Sequence, residues 1–157
     1  MERYDSIKDH MAKDLIFFTP DTDIIGAIET MLNQRISGAP VLDEDGKLVG
    51  ILSEKDCLKI VMGGVYSNNP SGRGRVADFM SVNVKTIPDR FDVVEAALEF
   101  IHSNYRRFPV VNDEGKVVGQ ISRRDVLNAV KNISPKENVT PLSWKGREPE
   151  KYQKSGD

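Results

Sequence analysis

The sequence predicts an α+β fold built from two βαββα units that face each other across a pseudo-two-fold axis. Three observations predict it. Residues 7–61 align without a gap on residues 76–130 at a constant offset of 69. Within each copy the apolar pattern switches from a helical period to a strand period. Each copy then places an Asp-Gly or Glu-Gly turn signal between two strand-like runs. A repeat of this kind is one supersecondary unit used twice, so it organises everything else.

Each copy begins with a short apolar run, "LIFF" at 15–18 and "VKTI" at 84–87, followed by Thr-Pro-Asp in the first and Pro-Asp in the second. Such a run reads as a strand closed by a turn. An amphipathic helix is expected next, over about 22–34 and 91–103. Its inward stripe is expected at Ile24, Ile28, Met31 and Leu32, and at Val94, Ala97, Leu98 and Ile101. "APVLDEDGKLVGILSEKDCL" (39–58) then falls on "FPVVNDEGKVVGQISRRDVL" (108–127). Both segments read as two strands around a tight turn, with Gly46 and Gly115 supplying positive φ. A last helix is expected from Glu54 and from Arg123, with Leu58, Val61, Leu127 and Val130 pointing inward. One such unit of about 55 residues buries little apolar surface alone, so the two are expected to share a module with two equivalent clefts.

The domain reading follows. Residues 1–62 form repeat one and 76–133 form repeat two. "GGVYSNNPSGRGR" makes 63–75 a flexible linker, and 134–157 a tail, partly disordered, that Trp144 is expected to anchor.

The chain has 157 residues, 39% of them hydrophobic, and a net charge of −2. That charge gives no general attraction to nucleic acid or anionic membrane. A lone Cys57 excludes an internal disulfide and a thiolate zinc cage, and reads as a small buried residue on a helix. His10 and His102 have no partner at ligand spacing and no nucleophile-elbow context, so neither a metal site nor catalysis is expected. The charged start "MERYDSIKDH" and the lack of a long apolar run lead to a cytoplasmic expectation.

The heptapeptides "GILSEKD" (50–56) and "GQISRRD" (119–125) repeat Gly-x-φ-Ser-x-x-Asp, with φ apolar. Ser-x-x-Asp at a helix start caps the helix, at about 1 kcal/mol. The same geometry presents free N–H groups and a positive helix end to a phosphate, and an acid to ribose hydroxyls. Both readings stand on the residues alone.

With these motifs the chain resembles a tandem pair of CBS domains (the cystathionine β-synthase family), a Bateman module, over about residues 5–132. The resemblance implies a regulatory module without a catalytic domain of its own. It would bind an adenine nucleotide (AMP, ADP or ATP) or S-adenosylmethionine between its repeats, and need no cofactor. It also implies a homodimer and a protein partner that reads the bound state. Ile25, Met31, Val94 and Phe100 are candidates for the self-association surface. The competing reading is a structural dimerisation module with empty clefts.

Carried onto this sequence, the resemblance assigns one cleft Ile51, Ser53 and Asp56 from repeat one with Thr86, Arg106, Arg107 and Phe108 from repeat two. Asp56 would take the ribose, Ser53 and the arginines the phosphate, and Ile51 and Phe108 the adenine faces. The other cleft would pair Gln120, Ser122 and Asp125 with Phe17, Ser37, Gly38 and Ala39. Phe17 stands there in place of a hydroxyl and Gly38 in place of an arginine. Phosphate would fall to Arg123 or Arg124, so this cleft is expected to be the weaker.

Overall fold

In a computed structural model of the chain, the described residues are 4–66 and 74–132. Repeat one contains α1 (Ile24–Gln34), β1 (Gly38–Leu42), β2 (Leu48–Ser53) and α2 (Glu54–Tyr66). After the short helix α3 (Val76–Phe79), repeat two contains β3 (Ile87–Pro88), α4 (Val93–Ile101), β4 (Arg107–Val111), β5 (Val117–Ser122) and α5 (Arg123–Asn132). Helix α2 runs to Tyr66, so the first residues expected as linker are helical. The central linker residues 67–73, the tail and Trp144 lie outside the described residues.

The hairpins share one register. Gly38 stands opposite Ser53 in β1–β2, and Arg107 stands opposite Ser122 in β4–β5. Both turns use the same chemistry. Asp43 Oδ1 accepts from the N–H groups of Asp45 and Lys47, and Asn112 Oδ1 from those of Glu114 and Lys116. Gly46 and Gly115 sit at φ 78°, where a side chain would be strained. The "VKTI" run yields the two-residue strand β3, parallel to β4, whereas "LIFF" contributes a single parallel bridge from Phe18 to Val41. The two turns meet, with Lys47 bridged to Lys116 and the Val117 N–H donating to the Gly46 carbonyl.

Two cores form, and the segment before each repeat packs into the other one. Ile7, in a 3-10 turn at Ile7–Asp9, is buried with Val93, Phe100, Phe108 and Ile121 of repeat two. Val76 of α3 is buried with Ile24, Val41 and Leu52 of repeat one. The exchange is held by backbone hydrogen bonds. Ala12 and Gln120 donate to each other's carbonyls, as do Ser81 and Ile51, all at 2.9 Å.

These crossings explain the glycine of the heptapeptide. A Cβ on Gly50 would lie 2.7 Å from Met80 Sδ and 2.9 Å from the Ser81 carbonyl oxygen. On Gly119 it would lie 2.6 Å from Met11 Sδ and 2.9 Å from the Ala12 oxygen. Only glycine admits the crossing segment at either place.

On α1 the expected Ile24 and Met31 are buried and Ile28 packs against the core, but otherwise the helical faces differ from the expected ones. Leu32, Leu98, Ile101, Leu58, Val61, Leu127 and Val130 are exposed. The buried positions are Ile24, Ala27 and Met31 on α1, Val93, Ala96 and Phe100 on α4, Cys57 on α2, and Val126 and Ala129 on α5. The apolar content of these helices exceeds one face, so periodicity alone leaves the inward stripe open. Met31 and Phe100, expected on a self-association surface, belong to the cores, while Ile25 remains exposed.

Candidate functional site

Both Ser-x-x-Asp motifs are reciprocal helix caps. Ser53 Oγ accepts from the Asp56 N–H at 3.1 Å, and Asp56 Oδ2 accepts from the Ser53 N–H at 2.9 Å. Ser122 and Asp125 repeat both bonds at the same distances. Each caps the first turn of α2 or α5, as the pattern of a polar residue followed three later by an acid dictates.

The second carboxylate oxygens have different fates. Asp56 Oδ1 accepts from Ser81 Oγ at 3.1 Å and from Lys59 Nζ at 3.2 Å, and Asp56 is only 5% exposed. Burial pushes its carboxyl pKa up. The hydrogen bonds from the Ser53 N–H and hydroxyl, Lys59 and Ser81 outweigh that and hold it below its ordinary value. Asp125 is half-buried, and among the described residues no donor meets its Oδ1. The offset of 69 explains the contrast: Ala12 stands where Ser81 does, and Asn128 where Lys59 does.

Asp125 opens onto a cleft of about 330 Å³ between the repeats. Ser122, Gln120 and Arg107 line it from repeat two. Ile36, Gly38, Leu15, Ile16, Asp14 and Ala12 line it from the N-terminal half. It combines one arginine, a helix N-terminus, the open Asp125 oxygen, the exposed Asp14 carboxylate and two isoleucines. That is the mixture of apolar walls and a few convergent polar groups expected of a small-molecule pocket.

The expected site residues sort as follows. Ser122, Asp125, Gln120 and Gly38 come together in this cleft. Arg107 joins them rather than Asp56, because β4 lies antiparallel to β5 and sets Arg107 opposite Ser122. Phe108 is fully buried in the core of repeat two, against Phe100 and Tyr105, so it offers no face to a ligand. Phe17 is exposed, and its neighbour Ile16 lines the cleft instead. Thr86 lines a separate space of about 210 Å³ with Leu48, Val49, Gly50, Val82 and Val84.

Ala39 and Ile51 border a small gap of about 50 Å³ with Gly38, Pro40, Arg107, Pro109 and Gln120. Arg106 and Arg124 are exposed. The Arg106 and Ser37 carbonyls accept from the first N–H groups of α5 and α2, those of Arg123 and Glu54, at 3.0 and 2.9 Å. Ile16, Ile36, Asp14 and Ser81 were not singled out in the sequence. Ser81 had a signal there, because it follows Met80 as Ala12 follows Met11.

Among the described residues no helix is long and apolar enough to cross a membrane. No group of three His, Cys, Asp or Glu side chains among them is placed to hold a metal ion.

Comparison with known proteins agrees with this architecture. The family model described as CBS domain matches residues 7–63 and 76–132. An uncharacterised protein of Methanocaldococcus jannaschii is 32% identical over 152 residues, covering 79% of this chain and 90% of that one. The crystal structure of CBSX2 in complex with AMP, a CBS-pair protein from Arabidopsis thaliana, superposes with a TM-score of 0.71. It is 27% identical, covering 82% of this chain and 98% of that one. The CBS domain pair of protein MJ0100, in complex with 5′-methylthioadenosine and S-adenosyl-L-methionine, superposes at 0.66 with 26% identity and coverage of 82% and 98%. Some curated relatives are longer, the chain spanning 61% of one and 22% of another.

Proposed function

The chain belongs to the CBS domain family, and from that premise we propose that it is a regulatory module whose inter-repeat cleft at Asp125 binds an adenosyl ligand. The observation that carries the reading is the Asp125 Oδ1, which meets no donor among the described residues, set at the start of α5 inside a cleft that also holds Arg107. Asp125 Oδ1 accepts from a ribose hydroxyl. Arg107 and the first turn of α5 meet a phosphate or another anionic group. Ile16 and Ile36 flank the base. The likeness to CBS pairs solved with AMP and with S-adenosyl-L-methionine supports this ligand class.

The module acts by binding rather than by catalysis. Its signal passes through a homodimer, for which exposed Ile25, Leu32, Leu98 and Ile101 on α1 and α4 supply apolar surface, to a protein partner. Ligand biases that dimer only by its differential affinity for two arrangements. The second reading, a structural module, is favoured by the caps themselves, since both aspartates already hold a helix start.

Thermal melting with AMP, ADP, ATP, NAD and S-adenosylmethionine, paired with sedimentation at high micromolar concentration, separates the two. Ligand at a hundred times its Kd adds about 2.7 kcal/mol to wild type, and Asp125→Ala loses that gain. A melt unmoved by all five supports the structural module, and a monomer at high concentration contradicts the dimer.

A further inference from the structure

We propose that Ser81 and Lys59 close the Asp56 cleft, so that the Asp125 cleft alone is open to a ligand and the chain holds one adenosyl molecule rather than two. The stoichiometry rests on the function proposed above; the closure of Asp56 does not.

Every accepting direction of Asp56 that its counterpart leaves open is taken. Ser81 Oγ and Lys59 Nζ both lie on Oδ1, while Ser53 holds Oδ2 through its N–H and its hydroxyl. A hydroxyl donating to this carboxylate is the contact a ribose would make, supplied from within the chain. Ser81 is not free to drift away. Its N–H and carbonyl pair with Ile51, and Met80 before it packs into the notch left by Gly50. A ligand entering here must break two charge-assisted contacts on a buried acid before it forms its own, and such groups are costly to leave unpaired.

A second, independent difference lies in the walls. Ile16 and Ile36, which flank the Asp125 cleft, correspond at the offset of 69 to Lys85 and Tyr105. Lys85 is paired with Glu99 at 2.6 Å and sits over the Phe108 ring, and Tyr105 packs on the same ring. The Asp56 side therefore offers a paired ammonium and an exposed tyrosine ring packed on Phe108 where the Asp125 side offers two aliphatic faces. The sequence ranks the clefts the other way, because it groups Thr86 and Arg107 with Asp56 and finds Phe17 and Gly38 at the matching places beside Asp125.

Carboxylate labelling by carbodiimide and glycine ethyl ester, read by mass spectrometry, tests the closure without any ligand. Asp125 should label at least several-fold faster than Asp56 in wild type. The double variant Ser81→Ala, Lys59→Asn, which copies Ala12 and Asn128, should bring Asp56 up toward Asp125. Equal labelling of the two in wild type, or an Asp56 that stays dark in a folded double variant, overturns the closure. Calorimetric titration with AMP then counts sites: one per wild-type chain, abolished by Asp125→Ala. Two equivalents per chain, or one that survives Asp125→Ala, overturns the assignment. A chain that takes up no AMP sinks the proposed function, while the labelling still decides whether Asp56 is closed.

Discussion

Asp56 and Asp125 occupy the same place in the repeat and do different work, and the difference is two side chains away. Ser81 and Lys59 give Asp56 a closed network; Ala12 and Asn128 leave Asp125 an oxygen to spare. The pKa of Asp56 is depressed on folding, so its contribution to stability is fully present above the ordinary aspartate value of about 3.9. That contribution is lost as pH falls through the still lower folded value. Asp56→Asn should therefore flatten the loss of stability below about pH 4, measured by urea unfolding across pH 2.5–5. An unchanged slope would mean that the network around Asp56 does not tighten on folding. The heptapeptide made both aspartates legible as helix caps. It could not distinguish them, because the deciding hydroxyl comes from a segment 25 residues away from Asp56 in sequence.

The element scale is governed by exchange. The 3-10 turn at Ile7–Asp9 completes the core of repeat two, and α3 completes that of repeat one. Deleting a buried aliphatic side chain costs about 2–5 kcal/mol for Ile→Ala. Ile7→Ala should accordingly weaken amide protection in β4 and β5, and Val76→Ala in β1 and β2, as read by hydrogen exchange. Losses confined to the sequence-defined repeat of each mutation would contradict the exchange.

Pattern located the long helices and both hairpins correctly, since "DEDGK" and "NDEGK" fix their turns chemically. It missed the crossing because Met11 and Met80 carry no periodic signal of their own. Gly50 and Gly119, read only as parts of a motif, were the clue: each is a notch for a segment arriving from elsewhere. The inward faces of α2, α4 and α5 differ from the pattern for a related reason. Leu98 and Ile101 complete a helical stripe on paper, yet Val93, Ala96 and Phe100 are the residues that Ile7 and Phe108 cover.

At the scale of the whole molecule, duplication supplies two clefts and divergence makes them unequal. One ends on a self-satisfied acid; the other keeps a volume of about 330 Å³ with Arg107, Asp125 and two isoleucines around it. The exposed apolar positions on α1 and α4 are the surface that the proposed dimer would use. The proposed function stands on an adenosyl ligand lying against Asp125. Its most direct test is an amide-resolved NMR titration of the full chain with AMP and with S-adenosylmethionine. Saturable shifts are expected at Ile36, Gly38, Gln120, Ser122 and Asp125, with Ser53 and Asp56 unmoved. Spectra that stay fixed with both ligands, or shifts that gather on Ser53 and Asp56 instead, would contradict it.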